Sequence, residues 1–157
     1  MYKTILVPHA GTPAGDEALK HAIFIAKASS AKIIELHIVE QILYHPVTFA
    51  LAESEREKLK KSIQDANQEI KIEMEKELAK KLEKCKENNI ESHLKVVTGN
   101  AAEEIIKVVE ENKVDLIVMA KRRKLKGVKK LLSLGSVSRK IVENVTCPIM
   151  LIDIENL

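Results

Sequence analysis

Near the end of the chain, Leu134-Gly135-Ser136-Val137-Ser138 places a glycine before two hydroxyl side chains where a helix begins. Such a segment offers close backbone approach, free amide donors, the positive end of a helix dipole and two hydroxyls, all suited to a phosphate. The same pattern also serves as an ordinary helix cap. Just upstream, Lys121 to Lys130 reads KRRKLKGVKK, seven basic residues and no acid. A run of this kind is either a solvated surface loop or an anion site. Arg122 and Arg123 within it can grip phosphate oxygens in pairs through their guanidinium groups. Among the histidines, His9 follows Pro8 at the end of an apolar run, where its ring is a candidate donor to a phosphate or ribose. His37 lies inside an apolar stretch and reads as internally hydrogen-bonded. No Ser/His/Asp arrangement, paired carboxylates or metal-ligand spacing can be assigned, so no catalytic residue and no metal ligand is named. Cys85 and Cys147 stand far apart without a CxxC or Cys/His cluster and read as small buried apolar residues.

The charge balance gives the basic run its meaning. The 157 residues carry 26 Lys and Arg against 23 Asp and Glu, a net +3. Removing the seven cations of 121–130 leaves 19 against 23, or −4, so the chain is acidic with one basic patch. With 45% apolar and 31% charged residues it reads as a single globular domain over 1–157. Two Phe, two Tyr and no Trp leave few platforms for stacking unpaired bases, so nucleic acid is not the expected partner. No apolar run reaches the roughly 18 residues of a membrane span, and MYKTILVPHAGT lacks the features of a signal peptide. The expected location is the cytoplasm.

The elements that position these residues alternate along the chain. Lys3 to Val7 is a short β-branched run ending at Pro8, as expected of a strand buried on both faces. Ala18, Leu19, Ala22, Ile23, Ile25 and Ala26 then recur at helical spacing to about Ser29. Lys32–Val39, Glu91–Val97 and Val114–Met119 read as further strands. Asn100 and Glu103 form a capping-box pattern before a third helix. A last helix runs from Ser136 to Asn144, and Thr146–Ile152 is a final strand that Pro148 confines to a sheet edge or makes begin there. Between the second and third strands, 51–88 carries Leu59, Ile63, Ala66, Ile70, Met74, Leu78, Leu82 and Cys85 at about 3.7 residues per step, the period of one long amphipathic helix. This helix is expected to lie on the sheet rather than project as a coiled-coil arm. The irregular segment 40–50 is expected to arch over the sheet's carboxyl edge. Strands alternating with helices predict an α/β fold, a parallel sheet with helices on both faces. Ligands in such sheets bind where the strand order reverses, at the carboxyl ends of the strands. That rule selects Pro8 to Gly11, Val39 with Glu40, and the segment after the fourth strand through Ser136.

Taken together, TILVPHAGTPAGDEAL, LHIVE, TGNAAEEI, VDLIVMA and LLSLGSVSRKIVENVTCPIMLI resemble the universal stress protein family over nearly the whole chain. The resemblance implies a five-stranded parallel, Rossmann-like sheet of order 3-2-1-4-5 and a homodimer through the last strand, about Thr146–Ile152. It also implies a stress-response binding or regulatory protein, some members of which bind ATP and others not. The ATP-binding pattern is G-x-x-G, nine residues, then G-(S/T), with an acid in the turn after the first strand. Gly135-Ser136-Val137-Ser138 matches its final part. Ala10 takes the place of the acid, Ala120-Lys121-Arg122-Arg123 stands where the first glycines belong, and the spacing to Gly135 is one residue longer. Side chains at those positions keep the backbone from a triphosphate, while Arg122, Arg123 and Lys124 can supply charge instead.

Two readings follow from the resemblance and its departures. In the first, an adenine nucleotide (ATP or AMP, with Mg only alongside ATP) sits at the switch point, Val39 against the base and Gly135, Ser136, Val137 and Ser138 at the phosphates. Pro8, His9, Ala10, Met119, Ala120, Arg122 and Arg123 complete that site. In the second, no nucleotide is bound and loop 121–130 contacts acidic protein or nucleic-acid partners. Slow ATP hydrolysis is a third reading, for which Ala10 supplies no acid.

Overall fold

The structure, a computed structural model, describes residues 1–40, 51–121 and 135–153. Five strands, β1 (Thr4–Pro8), β2 (Lys32–Val39), β3 (Ser92–Thr98), β4 (Leu116–Ala120) and β5 (Ile149–Ile152), form one sheet of order β3-β2-β1-β4-β5. Every pairing is parallel, as the alternating pattern and the family resemblance both anticipate.

β1 shows why the strands read as unbroken apolar runs. Ile5 and Val7 pack into one core cluster and Leu6 into another on the opposite face. Helices α1 (Pro13–Ser29) and α2 (Glu53–Glu87) cover the first face through Ala18, Leu19, Ala22, Ala26, Leu82 and Cys85. Helices α3 (Ala101–Glu111) and α4 (Ser136–Asn144) cover the second through Ile105, Val108, Val109 and Ile141. Both cysteines are free; Cys85 is buried, and Cys147 is partly buried rather than fully so.

Three boundaries differ from the sequence expectation in informative ways. Pro8 belongs to β1, paired in register with Leu36, because proline's missing amide is harmless at a strand's last position. β5 begins only at Ile149, and the Pro148 carbonyl accepts from Ile117 N at 3.0 Å, so the proline enters the ladder as an acceptor alone. At α3, Asn100 Oδ1 accepts from Glu103 N at 3.2 Å, which is half of the expected capping box. The Glu103 carboxylate does not reach back; it takes the Lys140 ammonium at 2.8 Å and links α3 to α4.

The long helix uses only part of its apolar stripe. Leu78, Leu82 and Cys85 are buried against the sheet, while Leu59, Ile63, Ala66 and Met74 are partly buried and Ile70 is 41% exposed. Among the described residues no helix is long and apolar enough to cross a membrane. The expectation for 40–50 falls, beyond Glu40, outside the described residues.

Candidate functional site

Because all five strands run the same way, their carboxyl ends share one edge, and there β1 lies between β2 and β4. A cavity of about 490 Å³ opens at this switch point, a size that accommodates a small organic ligand. The end of β1 and the turn after it contribute Pro8, His9, Ala10 and Thr12, and the end of β2 and the residue after it contribute Leu36 through Glu40. Met119 and Ala120 of β4 and Val137 and Ser138 of α4 form the opposite wall. Ala101 and Ile105 of α3, Ile70 of α2 and Gly15 of α1 close the rest.

Of the residues singled out in the sequence, Pro8, His9, Ala10, Val39, Met119, Ala120, Val137 and Ser138 thus line one cavity. Gly135 and Ser136 stand at the amino end of α4, next to its lining residues but not among them. Gly135 has an ordinary φ of −58°, and a Cβ added there would meet no atom of the described residues within 4 Å. Among the described residues no side chain caps α4. Its first-turn amides therefore retain donor capacity for an acceptor from outside the helix. Arg122 and Arg123 lie outside the described residues. Lys121, where the basic run begins, is tied down: its amide donates to Ile152 O at 2.8 Å and its ammonium pairs with Asp153 at 3.5 Å.

The ring of His9 is not available as the ligand donor expected from its position. Gly11 N donates to Nδ1 at 2.9 Å, so Nδ1 is the unprotonated nitrogen and Nε2–H points to Asp16 Oδ1 at 3.1 Å. Burial, aided by the Lys81 ammonium and opposed by Asp16, holds His9 below its usual pKa and keeps the ring neutral. Burial pushes Asp16 the other way, but hydrogen bonds from Lys81 and His9 outweigh it and hold the carboxylate below the usual range. Lys81 reaches Asp16 from α2 at 2.8 Å, so α1, α2 and the β1 turn share one polar junction. His37 is internally bonded as expected: since the His9 carbonyl can only accept, His37 Nδ1 donates to it at 2.7 Å.

Sequence reading missed Glu35. It is completely buried, and neither carboxylate oxygen has a hydrogen-bond partner among the described residues. Its Oε1 lies 3.9 Å from His9 Nε2. Burial pushes its pKa up to about 7, with Lys81 opposing and Asp16 reinforcing the shift. A signal was present: in Lys-Ile-Ile-Glu-Leu-His-Ile-Val the two polar residues after the opening lysine, Glu35 and His37, stand at i and i+2, on one face of a strand that is apolar at its other interior positions. Ile70 and Ile105 were also missed as cavity residues, because nothing local in a helical stripe says which positions border a cavity.

The sequence profile of the Universal stress protein family matches residues 1–153. The chain belongs to the universal stress protein family. A universal stress protein of Methanothermobacter thermautotrophicus is 35% identical over 153 residues, covering 97% of this chain and 96% of the relative. Among solved structures, the hypothetical protein MJ0577 of Methanocaldococcus jannaschii superposes with a TM-score of 0.78 at 22% identity, covering 100% and 99% of the two chains. A universal stress protein in complex with cAMP gives 0.65 at 20% identity, with 97% of each chain covered. An Arabidopsis thaliana universal stress protein family protein with AMP bound gives 0.58 at 19%, with 96% and 91% covered. At these identities the structural likenesses establish the Rossmann-like universal stress protein fold.

Proposed function

We propose that this protein is a binding or regulatory module whose switch-point cavity takes an adenine nucleotide. The observation that carries the reading is the meeting of two unlike surfaces. One is a largely apolar recess lined by Val39, Ile105, Met119 and Val137; the other is the start of α4, which among the described residues has no side-chain cap and no atom within 4 Å of a Cβ placed on Gly135. A flat aromatic base fits the first, and a phosphate fits the second. The family members solved with cAMP and AMP support the same ligand class. Val39 and Met119 would lie along the base, Pro8 and Ala10 along the turn side, and Gly135 through Ser138 at the phosphate. His9 would contribute its backbone and not its ring. The turn holds Ala10 where an acid would assist a metal-bound triphosphate, so a monophosphate or cyclic monophosphate suits these residues better than ATP with Mg. No catalytic step is assigned to any residue.

A second copy would pair along β5, which is an edge strand with Met150 38% exposed. The alternative role for loop 121–130 rests, beyond Lys121, on residues outside those described, and no described feature favours it.

Calorimetric titration of the full chain with AMP, cAMP and ATP tests the nucleotide reading. Micromolar binding of at least one, abolished in Gly135→Asp, is the expected result. Asp is a favoured helix cap and its Cβ meets no described atom there, so that variant should keep its fold while placing a carboxylate where the phosphate would sit. Absence of binding at millimolar nucleotide would sink the reading.

A further inference from the structure

Glu35 has no part in the nucleotide reading, yet it stands directly beneath the cavity. It is paired in register with Val7 of β1 on one side and Leu94 of β3 on the other, neither of them charged. Two positions along the same strand is His37, and across it lies His9, both of which line the cavity. The titratable groups around Glu35 are His9 from the turn after β1, His37 from β2, Asp16 from α1, and Lys81 and Cys85 from α2, while β3 sets the uncharged Leu94 beside it. Of these, only His9 offers an N–H within 4 Å. That N–H is currently given to Asp16.

We infer that Glu35 is a proton switch under the cavity floor. When neutral it leaves the His9 Nε2–H to Asp16, and when ionised it draws that N–H toward itself and shifts the turn from Pro8 to Thr12. The geometry makes the coupling direct. A desolvated carboxylate needs donors, and a buried charge without them is costly. Asp16 can release His9 cheaply because it keeps Lys81 and is 36% exposed to water. The other ring nitrogen of His9 holds the amide of Gly11, whose left-handed φ of +72° sets the turn, so a displaced ring moves the turn with it. The burial that raises Glu35 to about 7 puts the change in the physiological range.

The coupling to ligand rests on the nucleotide reading, whereas the titration itself does not, and the two are measured separately. In the first experiment, the full chain carrying 13C-labelled glutamate side chains is titrated by NMR from about pH 5 to about pH 9. The carboxyl signal absent in Glu35→Gln should titrate near pH 7, and the Gly11 amide and His9 ring-nitrogen signals should move with the same midpoint. A Glu35 titration in the ordinary carboxylate range, or Gly11 and His9 signals that ignore it, would overturn the switch. In the second, cAMP is used because its phosphodiester does not titrate in this range. Its affinity should fall severalfold between about pH 6 and about pH 8 in the native protein and stay level in Glu35→Gln. A fall of equal size in both proteins would overturn the coupling. Complete failure of cAMP, AMP and ATP to bind would remove the nucleotide reading and with it the coupling, leaving the NMR midpoint to decide the switch.

Discussion

Gly15 lies edge to edge with the ring of His9: a Cβ built on Gly15 would come within 2.7 Å of His9 Cε1. The first turn of α1 can therefore pass the histidine only because this position has no side chain. The ring is fully buried and held at both nitrogens, so it could make room for a methyl on Gly15 only by giving up those bonds.

Gly15→Ala should consequently destabilise the protein by about 1–3 kcal/mol, the usual cost of overpacking. Helix propensity alone would favour alanine by about 1 kcal/mol, so the sign of the result separates the two effects. Urea denaturation measures it. Combining Gly15→Ala with His9→Ala should recover much of the loss; a neutral or stabilising single substitution would show that the ring has room.

The stability of the fold should depend on the charge of Glu35. Its carboxyl ionises near 4.5 when unfolded and near 7 when folded, so the folded state holds the proton more tightly. The contribution is complete below the unfolded value and is lost as pH rises through the folded one. The loss amounts to something on the order of 3 kcal/mol. His9 acts in the opposite direction: its lowered pKa makes acid destabilising below its ordinary 6.5. The two partly cancel in the native protein, and only the difference between native and Glu35→Gln isolates the carboxyl. That difference should shift in favour of Gln as pH rises from about 5 to about 8; a constant difference would contradict it.

Along α2, position in the stripe should decide the cost of truncation. Leu78→Ala removes a side chain that is 0% exposed and should cost about 2–5 kcal/mol. Ile70→Ala, at 41% exposure, should fall within about 0.5 kcal/mol of the native protein while altering the cavity wall. Thermal or chemical denaturation of the two variants checks the contrast, and equal costs would refute it.

Pairing of two copies along β5 predicts that the protein sediments as a dimer at tens of micromolar. Met150→Lys, which sets a charge on that exposed edge, should shift the equilibrium to monomer. Sedimentation of the native protein as a monomer at that concentration would reject the interface.

Much of this architecture was legible because the sheet is buried on both sides. A run such as Thr4-Ile5-Leu6-Val7 carries apolar side chains to both clusters, whereas a strand with one face in water would alternate apolar and polar residues. The position of the cavity was legible for a topological reason: a reversal of strand order places Pro8, Val39 and Ser138 at one edge whatever their identities. Side-chain direction was another matter. Whether His9 faces the cavity or α1 depends on the missing Cβ of Gly15 and on Gly11 reaching back, contacts that no period encodes. Glu103 likewise chose Lys140 over its own helix cap, a partner 37 positions away. The stripe of α2 announced a helix and its apolar face without saying how much of that face the sheet would cover.

That uneven coverage gives α2 two regimes of persistence. Around Leu78, Leu82 and Cys85 the helix is fastened to β2 and β3, and its amides there should exchange with solvent only when the whole domain opens. Between Glu53 and Glu77 no residue is fully buried, and short excursions to a frayed backbone expose little additional apolar surface. Amide protection should therefore rise along α2 from its first turn to its last, and limited proteolysis should make its earliest cuts in the Lys- and Glu-rich first half, leaving the sheet intact.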